Sequence, residues 1–583
     1  MPFIPTSLKE LKTLGWDYLD VILFSGDAYV DHPSFGTAVI GRVLEAEGYR
    51  VAIVPQPNWR DDRRDFKKFG QPRLFFGVTS GSMDSMVNHY TANKRLRSND
   101  AYTPGGKAGF RPDYATAVYA QILRELFPET PVILGGIEAS LRRLAHYDYW
   151  NDALQPSILV ESKADLLVYG MGETPIREIA RRLAGGKHIR QLRNIPQTAY
   201  RVTGGERQMA VHENDCVLHS FEECVKSKYH FAENFAVIEQ EANKKESCRR
   251  LIEPSGGGYV VVNPPYPVMA EKEIDASFDL PYMRLPHPRY KGKHIPAYEM
   301  IKHSVTIHRG CFGGCSFCTI AAHQGRFIIS RSEQSILREV DSITQMDGFK
   351  GYLSDVGGPS ANMYGMKGKD EKACAQCQRN SCIFPRICNN LHTGHSRLLN
   401  LYSVLRRHKA IKKAFIGSGI RYDLFLDENG FTGASGEEYF RNLLRHHVSG
   451  RLKVAPEHTE QHVLQVMRKP SFTLFEKLKE LFDTQNHKEA LRLQLIPYFI
   501  SAHPGCTDND MRRLAKKLQR LSMHPEQVQD FTPTPMTHAS AIFYAGIDPV
   551  TMRKVFVPRG KTEKLQQKGW FFREKHAGML VKG

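Results

Sequence analysis

The sequence predicts an α/β protein, with a doubly wound parallel sheet in residues 1–200 and a full or partial (β/α) barrel in residues 299–540. Two features carry this reading. Continuous apolar runs alternate with amphipathic helical stretches in both regions, and glycines close many of the runs. Strands buried on both faces read as unbroken apolar runs, and a strand–helix–strand rhythm indicates a parallel sheet with crossover helices. A third feature is a loop holding three thiols directly after the first strand of the second series. In (β/α) barrels the chemistry sits at that end of the strands.

In the first region the runs are 20-DVILFSG-26, 50-RVAIVPQ-56, 73-RLFFGVTSG-81, 131-PVILGGIEAS-140 and 165-DLLVYGMGE-173. Segments 36-GTAVIGRVLEAEG-48 and 114-YATAVYAQILRELF-127 carry helical apolar spacing between them. The result is a Rossmann-like domain, whose ligands would bind beyond the carboxyl ends of the strands. From 201 to 298 the rhythm loosens. A polar helical stretch at 216–252 leads into 254-PSGGGYVVVNPPYPVMAEKE-273, where Gly and Pro punctuate one apolar run, and the segment reads as a connector. The second series comprises 304-SVTIH-308, 350-KGYLSDVGG-358, 413-KAFIGSG-419, 450-GRLKVAPEH-458, 493-LQLIPYFISAH-503 and 528-VQDFTPTPM-536, with helices expected at 333–346 and 475–485. Residues 366–392 form a cysteine-rich insertion in it, and 541–583 a basic C-terminal tail.

At 583 residues the chain exceeds one ordinary core, and 41% hydrophobic with 24% charged residues suits globular domains. No run approaches the length of a membrane-spanning helix, and residues 1–20 lack the apolar core of a signal peptide. A cytoplasmic protein with reduced thiols is therefore expected, without a membrane partner. The net charge of +18 invites an anionic partner. The basic clumps are 406-RRHKAIKK-413 and the tail, where Trp570, Phe571 and Phe572 interleave with Lys and Arg. Such a tail can bind RNA by stacking and phosphate contact, or dock its aromatics on the barrel; docking is the reading preferred here.

Of eleven cysteines, seven lie between Cys311 and Cys388, while Cys216, Cys224, Cys248 and Cys506 are scattered and read as ordinary thiols. Clustering in a reducing compartment points to metal. In 308-HRGCFGGCSFCTIAAHQGR-326, Cys311, Cys315 and Cys318 are spaced C-x3-C-x2-C. A structural zinc wants four ligands, so this loop is one short. A four-iron cubane held by three thiolates keeps its fourth iron open to a small molecule. Gly310, Gly313 and Gly314 let the loop wrap closely, and Phe312 and Phe317 shield the core from water.

This motif, with an aromatic before the last cysteine, resembles that of the radical S-adenosylmethionine (radical SAM) superfamily. Segments 26-GDAYVDHPSFG-36, 56-QPNW-59, 321-AAHQGRFIISRSEQSIL-337, 417-GSGIRYDL-424, 453-KVAPEHTE-460, 497-PYFISAHPGCT-507 and 528-VQDFTPTPMT-537 narrow the resemblance to the YgiQ-type radical SAM proteins. The resemblance implies a radical SAM barrel and an enzyme with a [4Fe-4S] cluster on Cys311, Cys315 and Cys318. Such an enzyme cleaves S-adenosylmethionine reductively to a 5′-deoxyadenosyl radical, which abstracts hydrogen from a substrate the sequence does not identify. It also implies a reductant such as flavodoxin or ferredoxin. Gly357 and Gly358 match the superfamily's edge for the cosubstrate's amino group, with Pro359 where an acid usually stands and Asp355 nearby. Arg421 is assigned to the cosubstrate carboxylate and Glu457 to the ribose hydroxyls. His323, Gln324 and Arg326 follow the cluster loop closely enough to reach the barrel mouth.

A second group, Cys374, Cys377, Cys382 and Cys388, offers four thiolates, which suit either zinc or a second iron–sulfur cluster. The N-terminal sheet resembles the cobalamin-binding-type domain that precedes some radical SAM barrels. Its usual Asp-x-His-x-x-Gly pattern is replaced by 31-DHPSFG-36, with Asp31 adjacent to His32, so cobalamin is not expected. Two alternatives stand beside the radical enzyme: a cobalamin-dependent radical SAM methyltransferase, and a nucleic-acid-binding protein whose cysteines hold zinc.

Overall fold

The computed structural model describes residues 2–203, 212–523, 525–526 and 528–571. The chain divides into two units. One comprises Met1–Lys302 with Ala322–Gln324 and Thr534–Met536, the other His303–Ala321, Gly325–Pro533 and Thr537–Gly583.

In the first unit, strand β1 (Val21–Ser25) is buried throughout, but its alternate side chains enter different cores. Val21 and Leu23 pack with Val51 and Ile53 on one face, and Ile22 and Phe24 with Ala52 and Val54 on the other. The period-two geometry of a strand makes one apolar run serve both faces. The other strands of its large sheet are β2 (Val51–Pro55), β3 (Phe75–Thr79), β4 (Val132–Leu134), β5 (Leu166–Val168), β6 (Thr198–Thr203), β7 (Cys216–Val217), β8 (Leu251–Ser255) and β9 (Gly258–Val262). They form one sheet in the order β7-β8-β9-β6-β5-β4-β3-β1-β2. The block β2-β1-β3-β4-β5 is parallel. Helices α1 (Gly36–Ala46) and α2 (Ala115–Leu126) bury their apolar stripes on opposite faces, through Val39 and Val43 in one core and Tyr119 and Leu123 in the other. Helix α3 (Glu173–Ala184) returns to the first face with Ile176 and Ile179. The sheet is therefore doubly wound, as expected. The expected run at 131–140 is a strand only to Leu134, where the chain turns into a short helix, Gly136–Leu141.

The strand order reverses between β1 and β3, where open α/β sheets receive ligands. Here the chain fills that place with its own groups. A Cβ on Gly26 would lie 2.2 Å from the Ser80 carbonyl oxygen, and buried Arg111 donates to that oxygen at 2.8 Å. Arg111 also pairs with Asp27 and Asp100, each at 3.0 Å.

The expected connector at 201–298 is corrected by the sheet. Residues 216–262 supply β7, β8 and β9, and β9 pairs antiparallel with β6, which itself runs antiparallel to β5. The glycine-rich punctuation is a hairpin turn. Gly256 and Gly257 have φ of 57° and 74° between the paired Ser255 and Gly258. Positive φ at both central residues of a two-residue loop matches the right-handed twist of the flanking strands.

In the second unit the expected strand segments appear as β10 (Ser304–Thr306), β11 (Tyr352–Leu353), β12 (Asp355–Gly357), β13 (Lys413–Ala414), β14 (Arg451–Glu457), β15 (Gln494–Ser501) and β16 (Val528–Asp530). Every pairing among them is parallel: β10 with β12, β11 with β13, and β14 with β15 and β15 with β16. Helices α4 (Glu333–Thr344), α5 (Ser396–Arg407), α6 (Ala434–Asn442), α7 (Phe472–Lys488) and α8 (Asp508–Arg520) alternate with them in the manner of a (β/α) barrel, around a core that includes Val305, Ile336, Leu353, Leu398, Leu478 and Phe499. The cysteine-rich insertion is a loop closed at its base, where Lys369 N–H donates to Asn390 O at 2.7 Å and His392 N–H to Lys367 O at 2.9 Å.

The C-terminal segment docks. Helix α9 (Lys561–Gly569) carries Gln567, which is fully buried, and Trp570 and Phe571 pack against the barrel core. Trp570 Nε1 donates to Asp508 at 2.9 Å. Phe572 lies outside the described residues. Among the described residues no helix is long and apolar enough to cross a membrane.

Candidate functional site

The site is assembled at the carboxyl ends of the parallel strands of the second unit. After β10 and a short strand at His308–Arg309, the chain enters the loop that bears Cys311, Cys315 and Cys318. Gly310 and Gly314 adopt φ of 86° and 65°, and neither could carry a side chain. A Cβ on Gly310 would stand 2.2 Å from Phe327 O, and one on Gly314 2.6 Å from Asn380 O. Gly313 leaves a space that a Cβ would enter, 3.1 Å from Arg421 Nη1 and 3.3 Å from Cys311 Sγ. Phe312 is buried, and Phe317 packs edge-on against His503. The loop is further tied by Ser316, whose N–H donates to Met467 O at 3.1 Å and whose hydroxyl lies 3.3 Å from His503 Nε2.

The residues expected to serve the site are gathered there. Gly357 and Gly358 follow β12; a Cβ on Gly358 would meet the His308 imidazole at 2.5 Å, so this edge passes flat over the ring. Asp355 accepts hydrogen bonds from Gly417 N–H at 2.8 Å and from the Ser418 hydroxyl, which engages it in joining β12 to the next strand's end. Arg421 is buried. Its fork holds Asp423 through Nε at 2.9 Å and Nη2 at 2.6 Å, and Nη1 donates to Cys315 Sγ at 3.2 Å. The fork expected to meet a small-molecule carboxylate thus engages an internal carboxylate and a cysteine sulfur. Glu457 ends β14 with φ of 68°, is buried, and faces Lys469 at 3.6 Å. Burial raises its carboxyl above the ordinary value, with Lys469 and Arg421 opposing. Burial, reinforced by Cys315 and Cys311, pushes the Cys318 thiol up to about 12, and burial likewise raises Cys311.

Sequence reasoning missed Asp423, Lys469 and Ser360, whose hydroxyl is 3.8 Å from Cys311 Sγ. Asp423 stood within a quoted segment, two residues from Arg421. His323 and Gln324 lie in the short helix Ile320–Gln324. Arg326 instead reaches the second cysteine group, with Nη2 donating to Cys382 Sγ at 3.3 Å and lying 3.7 Å from Cys377 Sγ. That group rests on the first loop: Cys382 N–H donates to Phe312 O at 3.1 Å and Ser381 Oγ to Gly313 O at 2.7 Å. All eleven cysteines are free of disulfides.

In the first unit, Asp31 forms a buried ion pair with Arg42 and accepts from Met283 N–H at 3.0 Å. His32 is enclosed, its Nδ1 accepting from Ser34 N–H at 3.1 Å, and burial lowers its imidazole well below the usual range.

A family model described as "Radical SAM N-terminal" matches residues 3–304. The chain is 59% identical to a UPF0313 protein of Bacteroides thetaiotaomicron, covering 98% of this chain and 94% of that protein. It is 58% identical to a UPF0313 protein of Porphyromonas gingivalis (98% and 90% covered) and 44% identical to the UPF0313 protein YgiQ of Escherichia coli K12 (97% and 82% covered). Among solved structures, it is similar to the radical S-adenosylmethionine methyltransferase TsrM from Kitasatospora setae with tryptophan and a S-adenosylmethionine analogue bound. There the TM-score is 0.48 at 15% identity, covering 87% of this chain and 72% of that one. On the curated relatives and the family model, this chain belongs to the UPF0313 family of YgiQ-type radical S-adenosylmethionine proteins.

Proposed function

We propose that the chain is a radical SAM enzyme in which Cys311, Cys315 and Cys318 hold a [4Fe-4S] cluster and S-adenosylmethionine is the cosubstrate. The observation that carries this is the three-thiol loop itself, cradled by Gly313 and contacted by the buried Arg421 cation. Three thiolates leave one position of a cubane open, which suits a chelating small molecule. When bound, such a cluster supplies the electron that cleaves S-adenosylmethionine to methionine and the 5′-deoxyadenosyl radical, which abstracts hydrogen from the substrate.

The chain's own residues hold and insulate the site. Arg421 donates to Cys315 and offsets the charge of clustered thiolates. Phe312 and Phe317 exclude water on the loop's apolar side. The backbone edge at Gly357 and Gly358 receives the cosubstrate's amino group, and Glu457 its ribose hydroxyls. A reduced flavodoxin or ferredoxin supplies the electron, in a reducing cytoplasm that suits eleven free thiols. Asp31 is committed to Arg42 and His32 is enclosed, so the first unit does not fit a cobalamin held by a histidine.

Anaerobic reconstitution followed by reduction and chromatography tests the reading. The protein is expected to release 5′-deoxyadenosine slowly, even without substrate. The variant Cys311→Ala, Cys315→Ala, Cys318→Ala is expected to release none, and undiminished release from it would overturn the assignment.

A further inference from the structure

Cys374, Cys377, Cys382 and Cys388 occupy a loop with its own supports. Its ends are clamped by the backbone bonds between Lys367–Lys369 and Asn390–His392, and Cys388 N–H donates to Cys382 O at 2.7 Å. Side chains address the sulfurs. Asn390 Nδ2 donates to Cys374 Sγ at 3.3 Å, and the buried Arg326 guanidinium spans Cys377 and Cys382. Cys382 and Cys388 pack against an apolar cluster of Phe312, Met363, Ile383 and Leu391. Polar donors aimed at sulfur beside an apolar wall describe a cradle for an anionic, sulfur-rich group. A loop of idle thiols would have no need of them.

Four thiolates in one loop suit either tetrahedral zinc or a cubane. A cationic donor shared by two of the sulfurs, and the backbone bond from Cys382 to Phe312 that seats this loop on the first cysteine loop, favour a redox-active cubane over a closed structural zinc.

We infer that Cys374, Cys377, Cys382 and Cys388 bind a second [4Fe-4S] cluster, one closed by four protein thiolates. With no iron open to a small molecule, its chemistry is one-electron transfer. It would accept one electron from a reduced flavodoxin or ferredoxin and pass that electron to the cluster proposed on Cys311, Cys315 and Cys318, with no bond made or broken. This direction of transfer rests on the function proposed above. Arg326 tunes it, because a cationic donor to two sulfurs stabilises the more negative, reduced state and raises the potential. The identity of this cofactor is independent of the function proposed above.

The test is iron, sulfide and zinc analysis of the reconstituted full chain carrying Cys311→Ala, Cys315→Ala and Cys318→Ala. About four irons and four sulfides per chain are expected to remain, with a cubane signal by electron paramagnetic resonance after reduction. Zinc without iron, or a folded variant that holds neither metal, overturns the inference. As a check that does not depend on that variant folding, Arg326→Gln in the otherwise intact chain is expected to keep its iron and to lower the midpoint potential of one of two reducible centres. A single reducible centre, or two whose potentials do not move, overturns it.

Discussion

Arg421 Nη1 stands 3.2 Å from Cys315 Sγ while the rest of its guanidinium grips Asp423, so one buried cation is shared between a carboxylate and a cysteine sulfur. Both side chains are nearly enclosed. Removing Arg421 would strand Asp423 without a counter-charge. Arg421→Met is expected to lower stability by about 3–5 kcal/mol, and Arg421→Met with Asp423→Leu to recover much of it. Denaturant melts of both variants check this; equal losses in the two would show that the pair is not coupled.

Gly314 and Gly325 both have positive φ but differ in their surroundings. A Cβ on Gly314 would strike Asn380 O and Ser381, whereas nothing lies within 4 Å of one on Gly325. Gly325→Ala is expected to cost only the backbone strain of its φ of 91° and ψ of 163°, about 1–3 kcal/mol. Gly314→Ala should cost more and also displace the second cysteine loop from the first, lowering iron retention on dilution into chelator. Matching iron loss in the two variants would refute the contact as the cause.

Glu253, on β8, is fully buried and accepts from Ala145 N–H. Burial pushes its carboxyl up from 4.5 to about 8, with Glu222 adding to the rise and the Ala145 hydrogen bond opposing it. The folded state therefore holds a proton that the unfolded chain releases. Between about pH 4.5 and about 8 this group makes stability fall as pH rises. Glu253→Gln removes the dependence, so its advantage in Tm over the parent should grow from pH 5 to pH 8. A difference that stays flat with pH counts against the assignment.

Gln567 accepts from Ala502 N–H at 2.8 Å and donates to Cys506 O at 2.9 Å from a fully buried position. Gln567→Ala leaves both groups unpaired and should cost about 1–3 kcal/mol. Truncation after Val550 removes the whole helix and should lower Tm further while leaving any RNA affinity nearly unchanged. Intact stability combined with lost, salt-sensitive RNA retention on filters would instead make the tail a nucleic-acid arm.

The strands were legible because burial on both faces writes itself as an unbroken apolar run, as in 21–25 and 51–55. What escaped were relationships that depend on distance along the chain. β9 looked like an isolated run because its partner β6 lies far back in the sequence, and only the glycine turn hinted at a hairpin. At the candidate site the thiol spacing was readable, since all three cysteines share one loop. The partners of Arg421 and Arg326 were not: the second reaches cysteines 51 and 56 residues away, and a charged side chain carries no record of which counter-group it will meet.

The docking of α9 has a consequence for how the protein is made. All nine strands of the N-terminal sheet have been synthesised by Val262, so that sheet can form while synthesis continues. The barrel core waits for Gln567 and Trp570, almost the last described residues of the chain. Both cysteine loops are thus translated long before the element that closes the core around β15 and β16. Nascent chains stalled shortly before residue 560 would expose both sets of thiols in an unfinished barrel, an interval in which the clusters proposed above could be loaded.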